Sequence, residues 1–165
     1  MTVRPIRIEG DVAYVQLTKG YEAVIDVADV LLVASWNWAA IVKRNAVYAV
    51  RTETSGSKAQ AIYMHRLLAN DPDGLQVDHG DGNGLNNRRY NLRPATTSQN
   101  AQNRCKSARN TSGYKGVHRA RGKWRARIVI DGVARSLGHH DTPEDAHKAY
   151  CAASAEIHGQ FGRVQ

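Results

Sequence analysis

The sequence predicts an α+β fold built from small antiparallel sheets and few helices, and three features of the chain lead to this prediction. Short runs in which apolar and polar residues alternate, typical of half-buried strands, occur at 6–17 and at 123–130. An Asp-Gly pair at 131–132 is a strong signal for a hairpin turn. The segment Thr-Pro-Glu-Asp at 142–145 is typical of a helix start, because it combines an N-cap threonine, a proline in the first turn and two acidic residues.

The N-terminal part of the chain is expected to form a small α+β unit without chemistry of its own. Strands are predicted at 6–17 (two strands around a Gly-Asp turn), 24–26, 47–52 and 61–63. Asp26 or Asp29 is expected to cap a short helix through 31–38. Trp36 and Trp38 are interpreted as core or supporting residues.

The middle of the chain has the pattern strand, loop, strand, helix. The predicted elements are a short helical or extended segment at 64–70, a strand at 75–79, a Gly- and Asn-rich loop at 80–91, a strand at 92–96 and a helix to about 103 or 104. Thr97 or Ser98 is expected to cap that helix. Residues 106–112 are polar and lack periodicity, so they are interpreted as a linker.

Residues 113–165 are expected to fold into a three-stranded antiparallel sheet packed on one helix. Strands are predicted at 114–119, 123–131 and 133–137, and a helix at 143–158 with Gly159 as its stop. Alternation places on one face of the middle strand the residues Trp124, Ala126, Ile128 and Ile130. That face should pack on residues that recur at helical spacing, namely Ala146, Ala149, Tyr150, Ala153 and Ile157. The opposite face, with Arg125, Arg127 and His118, should be exposed and positive.

Charge is distributed unevenly along the 165 residues, which carry a net charge of +8. Residues 106–165 hold 11 basic and 5 acidic side chains, and between Gly82 and Ile130 there are 12 Lys or Arg and no Asp or Glu. A stretch without counter-charges fits the neutralisation of nucleic-acid phosphates, although a solvated basic face is the alternative. The segment is therefore interpreted first as a nucleic-acid surface.

Cysteine usage and hydropathy bear on the compartment. The two cysteines, Cys105 and Cys151, lack the spacing of a zinc site or a disulfide framework, which fits a reducing compartment. The N-terminus has no apolar region of the kind found in secretory signals, and the longest apolar run is too short to span a bilayer. We therefore expect a cytoplasmic protein without a membrane partner.

Four polar residues in the middle of the chain fit the chemistry of phosphodiester cleavage. Asp78 and His79 end a predicted strand, Asn91 ends the loop, and Asn100 lies on the following helix. A hard divalent cation prefers oxygen ligands such as the Asp78 carboxylate and the Asn100 amide. His79 has a suitable intrinsic pKa for a general base, and Asn91 could orient it.

The same segment resembles the HNH, or ββα-metal, nuclease motif in its Asn-rich form from phage and intron-encoded homing endonucleases. The elements DH, NNRRYNLR and ATTSQN occur in order from residue 78, and YMHRLL at 63–68 resembles the segment that usually precedes them. The resemblance implies His79 as general base, Asn91 as orienting residue, Asp78 and Asn100 as ligands of one Mg²⁺ or Mn²⁺ ion, and double-stranded DNA as substrate. Gly80 departs from relatives that have a bulkier residue there. His65, within the preceding segment, is interpreted as a packing residue.

The C-terminal segment resembles an AP2 DNA-binding domain. GYKGVHR, GKWRARI, LGHHDTPEDAHKAY and AASAEIHG match in order over about fifty residues. A narrow antiparallel sheet of this kind can enter the major groove. Ala134 and Ser136 occupy groove-facing positions where relatives often place Arg and Trp, so sequence readout is expected to be weak. Counting the nuclease segment as well, the predicted DNA contacts are Arg88, Arg89, Arg93, Arg104, His118, Arg119, Arg121, Lys123, Arg125 and Arg127.

Together these features predict a metal-dependent DNA endonuclease, phage-encoded and homing-like, that acts as a monomer or weak dimer. The predicted domains are an N-terminal part at 1–105 with its nuclease motif at 63–104, a linker at 106–112 and an AP2-like domain at 113–165. The alternative is a DNA-binding regulator in which the nuclease unit is inactive or structural.

Overall fold

The computed structural model describes residues 2–44, 46–107 and 109–164, which form two compact units, Met1–Ala95 and Thr96–Gln165. Both contain small antiparallel sheets and short helices, so the predicted mixture of α and β structure is confirmed. The division between the units falls before the helix that was assigned to the nuclease motif. That helix and the predicted linker at 106–112 therefore lie in the second unit, and the predicted domain boundary at 105 stays a prediction.

The first unit begins with a three-stranded meander. Its strands are Ile6–Glu9 (β1), Val12–Gln16 (β2) and Glu22–Asp26 (β3), and they pair antiparallel in sequence order. One turn of helix follows at Val30–Val33 (α1). Neither Asp26 nor Asp29 caps a helix through its side chain, so the predicted capping role is wrong. Their carboxylates bind arginines from the loop described below.

A second meander and a two-stranded sheet complete this unit. The strands are Ala39–Lys43 (β4), Ala46–Ser55 (β5), Lys58–Tyr63 (β6), Gln76–His79 (β7) and Leu92–Ala95 (β8), with a short helix at Met64–Leu68 (α2) before β7. Ala13, Ile25, Val33, Trp38 and Met64 are among the buried residues of the core. The core thus joins both meanders and α2 to one body that supports the β7–β8 pair.

The second unit contains a helix, a three-stranded sheet and a longer helix. Its elements are Thr97–Gln102 (α3), Val117–Ala120 (β9), Lys123–Ile130 (β10), Val133–His140 (β11) and Pro143–His158 (α4). The strand order in the sheet is β11-β10-β9. Thr96, and not Thr97 or Ser98, caps α3 in a capping box with Gln99. Thr142 caps α4 as predicted, and its side chain accepts a hydrogen bond from Asp145 N.

The predicted alternation along β10 is confirmed. Ala126 and Ile128 are buried, whereas Arg127 and Val129 are exposed. The helix packs on this sheet through Ala146, Tyr150 and Ser154. Ile157 was expected in the same contact but is 41% exposed, and Phe161 in the turn after the helix is buried instead. The buried face of the helix therefore ends at Ser154, about one turn earlier than its apolar pattern suggests.

The close approach of β9 to α4 makes a glycine necessary at one position. A Cβ on Gly116 would lie 2.1 Å from Tyr150 Cδ2, and its φ is +75°. Gly113 has a similar φ of +81° but no atom within 4 Å of such a Cβ.

We expect Gly116→Ala to destabilise the second unit by about 1–3 kcal/mol more than Gly113→Ala, because only the former adds overpacking to backbone strain. Hydrogen exchange of the β9 and β10 amides measures this difference, and equal protection in both variants would contradict it.

Candidate functional site

Asp78 and His79 lie side by side at the end of β7, and both side chains are buried, with 5% of each residue exposed. Pairing with β8 places Arg93 opposite Asp78. The Arg93 guanidinium donates from Nε and Nη2 to Asp78 Oδ2 at 2.8 and 2.7 Å. The two hydrogen bonds fix the orientation of the carboxylate, so Arg93, predicted as a DNA contact, is an intramolecular partner of Asp78.

The His79 ring is held by Asn87, a residue of the loop whose side chain is completely buried. His79 Nε2 lies 3.2 Å from Asn87 Oδ1. Asn87 Nδ2 donates to Leu85 O at 3.2 Å and to Met64 Sδ at 3.7 Å, which assigns the orientation of the amide. Because Oδ1 can only accept, His79 carries a proton on Nε2, and the lone pair of the neutral ring is on Nδ1.

Aromatic side chains surround the His79 ring. Its centroid lies 5.0 Å from that of His65 and 6.0 Å from that of Tyr48. Burial lowers the pKa of His79, although the hydrogen bond with Asn87 and the carboxylates of Asp81 and Asp78 oppose this effect. Burial, and then the neighbouring His79, lower the pKa of His65 to about 3. Both imidazoles are therefore neutral at pH 7.

Asn91 organises the loop. Its backbone oxygen accepts from Gly80 N at 2.8 Å, and its Oδ1 accepts from Asp81 N at 2.9 Å. Its Nδ2 donates to Asp81 Oδ1 at 3.0 Å and to Asn86 O at 2.7 Å. These contacts of Asn91 are with the loop, and it is Asn87 that contacts the His79 ring. The predicted orienting role of Asn91 stays a prediction. Sequence reasoning missed Asn87 because nothing in the run NNRRYN distinguishes the asparagine that reaches the His79 ring.

Arg88 and Arg89, which were predicted to bind DNA, attach the loop to the first meander. Arg88 Nε donates to Asp26 Oδ1 at 2.7 Å, and its Nη2 donates to Asp11 Oδ2 at 2.6 Å. Arg89 Nε lies 3.0 and 2.9 Å from the two carboxylate oxygens of Asp29, which is completely buried. These contacts give both arginines a role in the fold.

Asn100 and Arg104 belong to the second unit. Asn100 lies on α3 and is half-buried, whereas Arg104 follows the helix and is exposed. Among the described residues there is no group of three or more His, Cys, Asp or Glu side chains that could hold a metal ion. A site of one carboxylate and one amide oxygen, as predicted from Asp78 and Asn100, would not form such a group. Within the first unit, the Asp78 carboxylate is an oxygen donor of the kind that a hard cation prefers, and Arg93 orients it.

The sheet of the second unit presents a basic face. Cross-strand pairing aligns Arg125 with His118 on one side and His139 on the other, and Arg127 lies next along β10. Burial and the charges of Arg127 and Arg125 lower the pKa of His118. The residues that line a groove at one end of this face are Ala120, Arg121, Lys123, Arg125 and His139. The predicted residues are therefore grouped on one face, with His139 as an addition, but Arg125 is half-buried and not exposed as predicted.

Arg119 lies on the opposite face of the sheet from Arg125, with its guanidinium carbon 5.0 Å from the centroid of the Trp124 ring. It lines a second groove whose described residues include no carboxylate. Five cationic residues line this groove, and His118 lines it as well; the five are Arg104, Lys106, Arg109, Lys115 and Arg119. Lys106, Arg109 and Lys115 were not singled out from the sequence, because they lie in the segment interpreted as a linker or beside a strand.

Comparisons with known proteins give two relatives and one family. Residues 70–102 match the HNH endonuclease family. The chain is 36% identical over 96 residues to Protein 3.8 of Escherichia phage T7, which covers 57% of the chain and 78% of that protein. It is 35% identical over 101 residues to an uncharacterized HNH endonuclease of Acanthamoeba polyphaga mimivirus, which covers 61% of the chain and 52% of that protein. No solved structure matches the chain significantly.

The chain thus spans only about half the length of the mimivirus relative. In the part of the chain that the structure describes, no helix combines the length and apolar character needed to cross a membrane.

The loop packs so closely on β5 that a side chain at Gly84 has no room. A Cβ there would lie 2.4 Å from Val47 O and 2.7 Å from the Tyr48 ring, whereas at Gly80 the nearest atom, Asn91 Oδ1, would lie 3.4 Å away. We expect Gly84→Ala to destabilise the first unit by about 1–3 kcal/mol because the loop must shift, and Gly80→Ala to have a smaller effect. Urea unfolding of the two variants compares them, and a Gly84→Ala variant as stable as Gly80→Ala would contradict the packing.

Proposed function

The chain belongs to the same family as Protein 3.8 of Escherichia phage T7 and contains a segment that matches HNH endonucleases, and from this premise we propose that it is a metal-dependent endonuclease of double-stranded DNA. The observation that carries the proposal is the neutral His79, buried beside Asp78 with its Nε2 bound to Asn87. In this proposal the β7–β8 pair and α3 form a ββα-metal motif.

In the proposed reaction, water attacks phosphorus, one phosphorus–oxygen ester bond of the backbone breaks, and the leaving sugar oxygen takes a proton from solvent to become a hydroxyl group. His79 accepts the proton of the attacking water at Nδ1, the nitrogen that carries the lone pair when Nε2 is protonated. Asn87 fixes this tautomer, and Asn91 maintains the loop from which Asn87 comes. The arrangement supports a base that is already neutral and oriented before DNA binds.

Asp78 and Asn100 are the proposed ligands of one Mg²⁺ or Mn²⁺ ion. Such an ion supplies positive charge that stabilises the charge developing on the phosphate oxygens. Arg93 positions the Asp78 carboxylate through Oδ2. With only two ligands from the protein, room remains for phosphate and water oxygens.

The second unit is the proposed DNA anchor. Thr96–Gln165 holds 12 basic and 5 acidic side chains, whereas Met1–Ala95 holds 11 and 10. The proposed AP2-like contacts are His118, Arg121, Lys123, Arg125 and Arg127 on or beside the basic face, with Arg104 and Arg119 in the second groove. Lys123 also pairs with Asp141, but both side chains are exposed, so this pair can exchange for a phosphate. Because Arg88 and Arg89 bind carboxylates, we assign them to the fold. A relative from a phage fits the proposed action in the cytoplasm of an infected cell. That the protein acts as a monomer or weak dimer stays a prediction.

Cleavage of supercoiled plasmid tests the proposal. We expect nicking or linearisation with Mg²⁺ or Mn²⁺ and none with EDTA. His79→Ala should lose about 10²–10⁴-fold in rate while it still binds DNA, because a general base typically contributes that much. Asn87→Ala should fall between wild type and His79→Ala, because the base remains without its fixed tautomer. The matched control is His147→Ala, which removes a part-buried histidine from the second unit. If folded protein that binds DNA leaves the plasmid intact with every metal and target tried, the alternative of a non-catalytic DNA-binding regulator is favoured.

The salt dependence of DNA binding tests the anchor. Arg125→Ala with Arg127→Ala should reduce the slope of log affinity against log salt by about 0.9 for each phosphate that the variant no longer neutralises. The control is Arg135→Ala with Lys148→Ala, which removes the same charge from exposed positions off this face. Anisotropy titrations at several salt concentrations compare the slopes. A double variant that keeps the wild-type slope would remove the basic face from the proposal.

A further inference from the structure

The arginines of the nuclease segment are bound to carboxylates within the first unit. Arg88, Arg89 and Arg93 each form an ion pair with an aspartate. The whole unit, with 11 basic and 10 acidic side chains, is nearly balanced in charge. A DNA strand that reaches His79 nevertheless brings several phosphates, one for each ~3.4 Å of helix axis along a strand. A different cation of this unit should therefore meet the phosphates beside the one that is cleaved.

Lys43 is a cation with the right surroundings. It ends β4, is exposed, and among the described residues it has no carboxylate within ion-pair distance. Its Nζ lies 5.6 Å from the centroid of the Tyr48 ring and 5.5 Å from that of Tyr63. The Tyr48 ring is also the one that lies 6.0 Å from the His79 ring. One aromatic side chain therefore links this cation to the proposed base.

The two tyrosines are held in place. Their rings meet edge to face, with centroids 6.2 Å apart, and both are only partly buried. The loop backbone at Gly84 is packed so tightly on Tyr48 that no Cβ would fit between them. Because the rings are fixed, the Lys43 ammonium group, which lies over both ring faces, is confined to a small region near the proposed base His79. Such preorganisation lowers the cost of ordering a lysine on a ligand.

We infer that Lys43, Tyr48 and Tyr63 form a substrate-strand surface, on which Lys43 binds a backbone phosphate close to the one hydrolysed at His79. This inference rests on the proposed function and specifies where the cleaved strand lies on the first unit. The ligand class is a DNA strand bound through its phosphate and sugar, since a lysine over tyrosine rings offers charge and apolar contact but no pattern of donors and acceptors that reads a base. The surface should therefore contribute affinity and register without sequence preference.

Charge reversal at Lys43 tests the surface, and Lys58 provides the matched control. Lys58 is an exposed lysine of the same sheet, on β6, where it pairs with Ser55 at the end of the β5–β6 hairpin. Full-length Lys43→Glu, Lys43→Arg and Lys58→Glu are titrated with a mixed-sequence duplex by anisotropy, in EDTA and at several salt concentrations. We expect Lys43→Glu to bind about 10-fold more weakly at low salt and its salt slope to fall by about 1, because a phosphate contact becomes a repulsion. Lys43→Arg should bind like wild type, and Lys58→Glu should change affinity by less than about twofold.

Equal effects of Lys43→Glu and Lys58→Glu, or an unchanged salt slope for Lys43→Glu, would overturn the inference. Circular dichroism of each variant verifies that the exposed substitutions leave the fold intact. Because the titrations contain no metal, their result is independent of cleavage. If the wild-type protein cuts DNA but Lys43→Glu and Lys58→Glu bind DNA equally well, the proposed endonuclease activity is retained and this surface is rejected. If only Lys43→Glu weakens DNA binding and the wild-type protein does not cut DNA, the surface is retained and the proposed endonuclease activity is rejected.

Discussion

The ion pair between Arg89 and Asp29 fixes the loop at 80–91 to the turn that follows the first meander. Asp29 is completely buried, and a buried carboxylate that loses its cation is strongly destabilising. Arg88 adds a second attachment to Asp26, and Asn87 N donates to Val24 O at 2.7 Å. Since Asn87 also holds the His79 ring, the orientation of the proposed base depends on carboxylates far earlier in the chain. The N-terminal meander, which has no reactive group of its own, thereby determines the geometry of the site.

Much of the fold could be predicted from local sequence patterns. The strands β7, β8 and β10 and the helix α4 follow from alternation, turn residues and capping residues, all of which act within a few positions. Thr96 was missed as the cap of α3, although the sequence contains a signal for it: among the three hydroxyl-bearing residues at 96–98, only Thr96 has a Gln or Glu three residues later, namely Gln99. Ile157 was misassigned because helical periodicity does not reveal where the next segment, here with Phe161, covers the core.

The candidate site was predictable in its residue types and less so in their partners. The position of Asp78 and His79 at the end of a strand could be predicted from the sequence, and their proposed chemistry follows from the order of the motif. The partners of Arg88 and Arg89 could not, since a positive charge beside a proposed nuclease site is equally compatible with a phosphate and with an aspartate distant in sequence. Asn87 and Asn91 are chemically identical and both are buried, so only the path of the loop brings the former to His79 and the latter to the loop backbone.

Pairing the arginines inside the first unit has an electrostatic consequence for the base. A free guanidinium close to His79 would lower the proton affinity of the imidazole, which a general base needs. With Arg93 bound to Asp78 and Arg88 and Arg89 bound to their aspartates, burial and the hydrogen bond with Asn87 are the leading influences on the pKa of His79. The unit then has little net charge with which to attract DNA. Affinity has to come from cations that are remote from the imidazole or separated from it by an aromatic ring, and the excess of basic residues in Thr96–Gln165 fits this requirement.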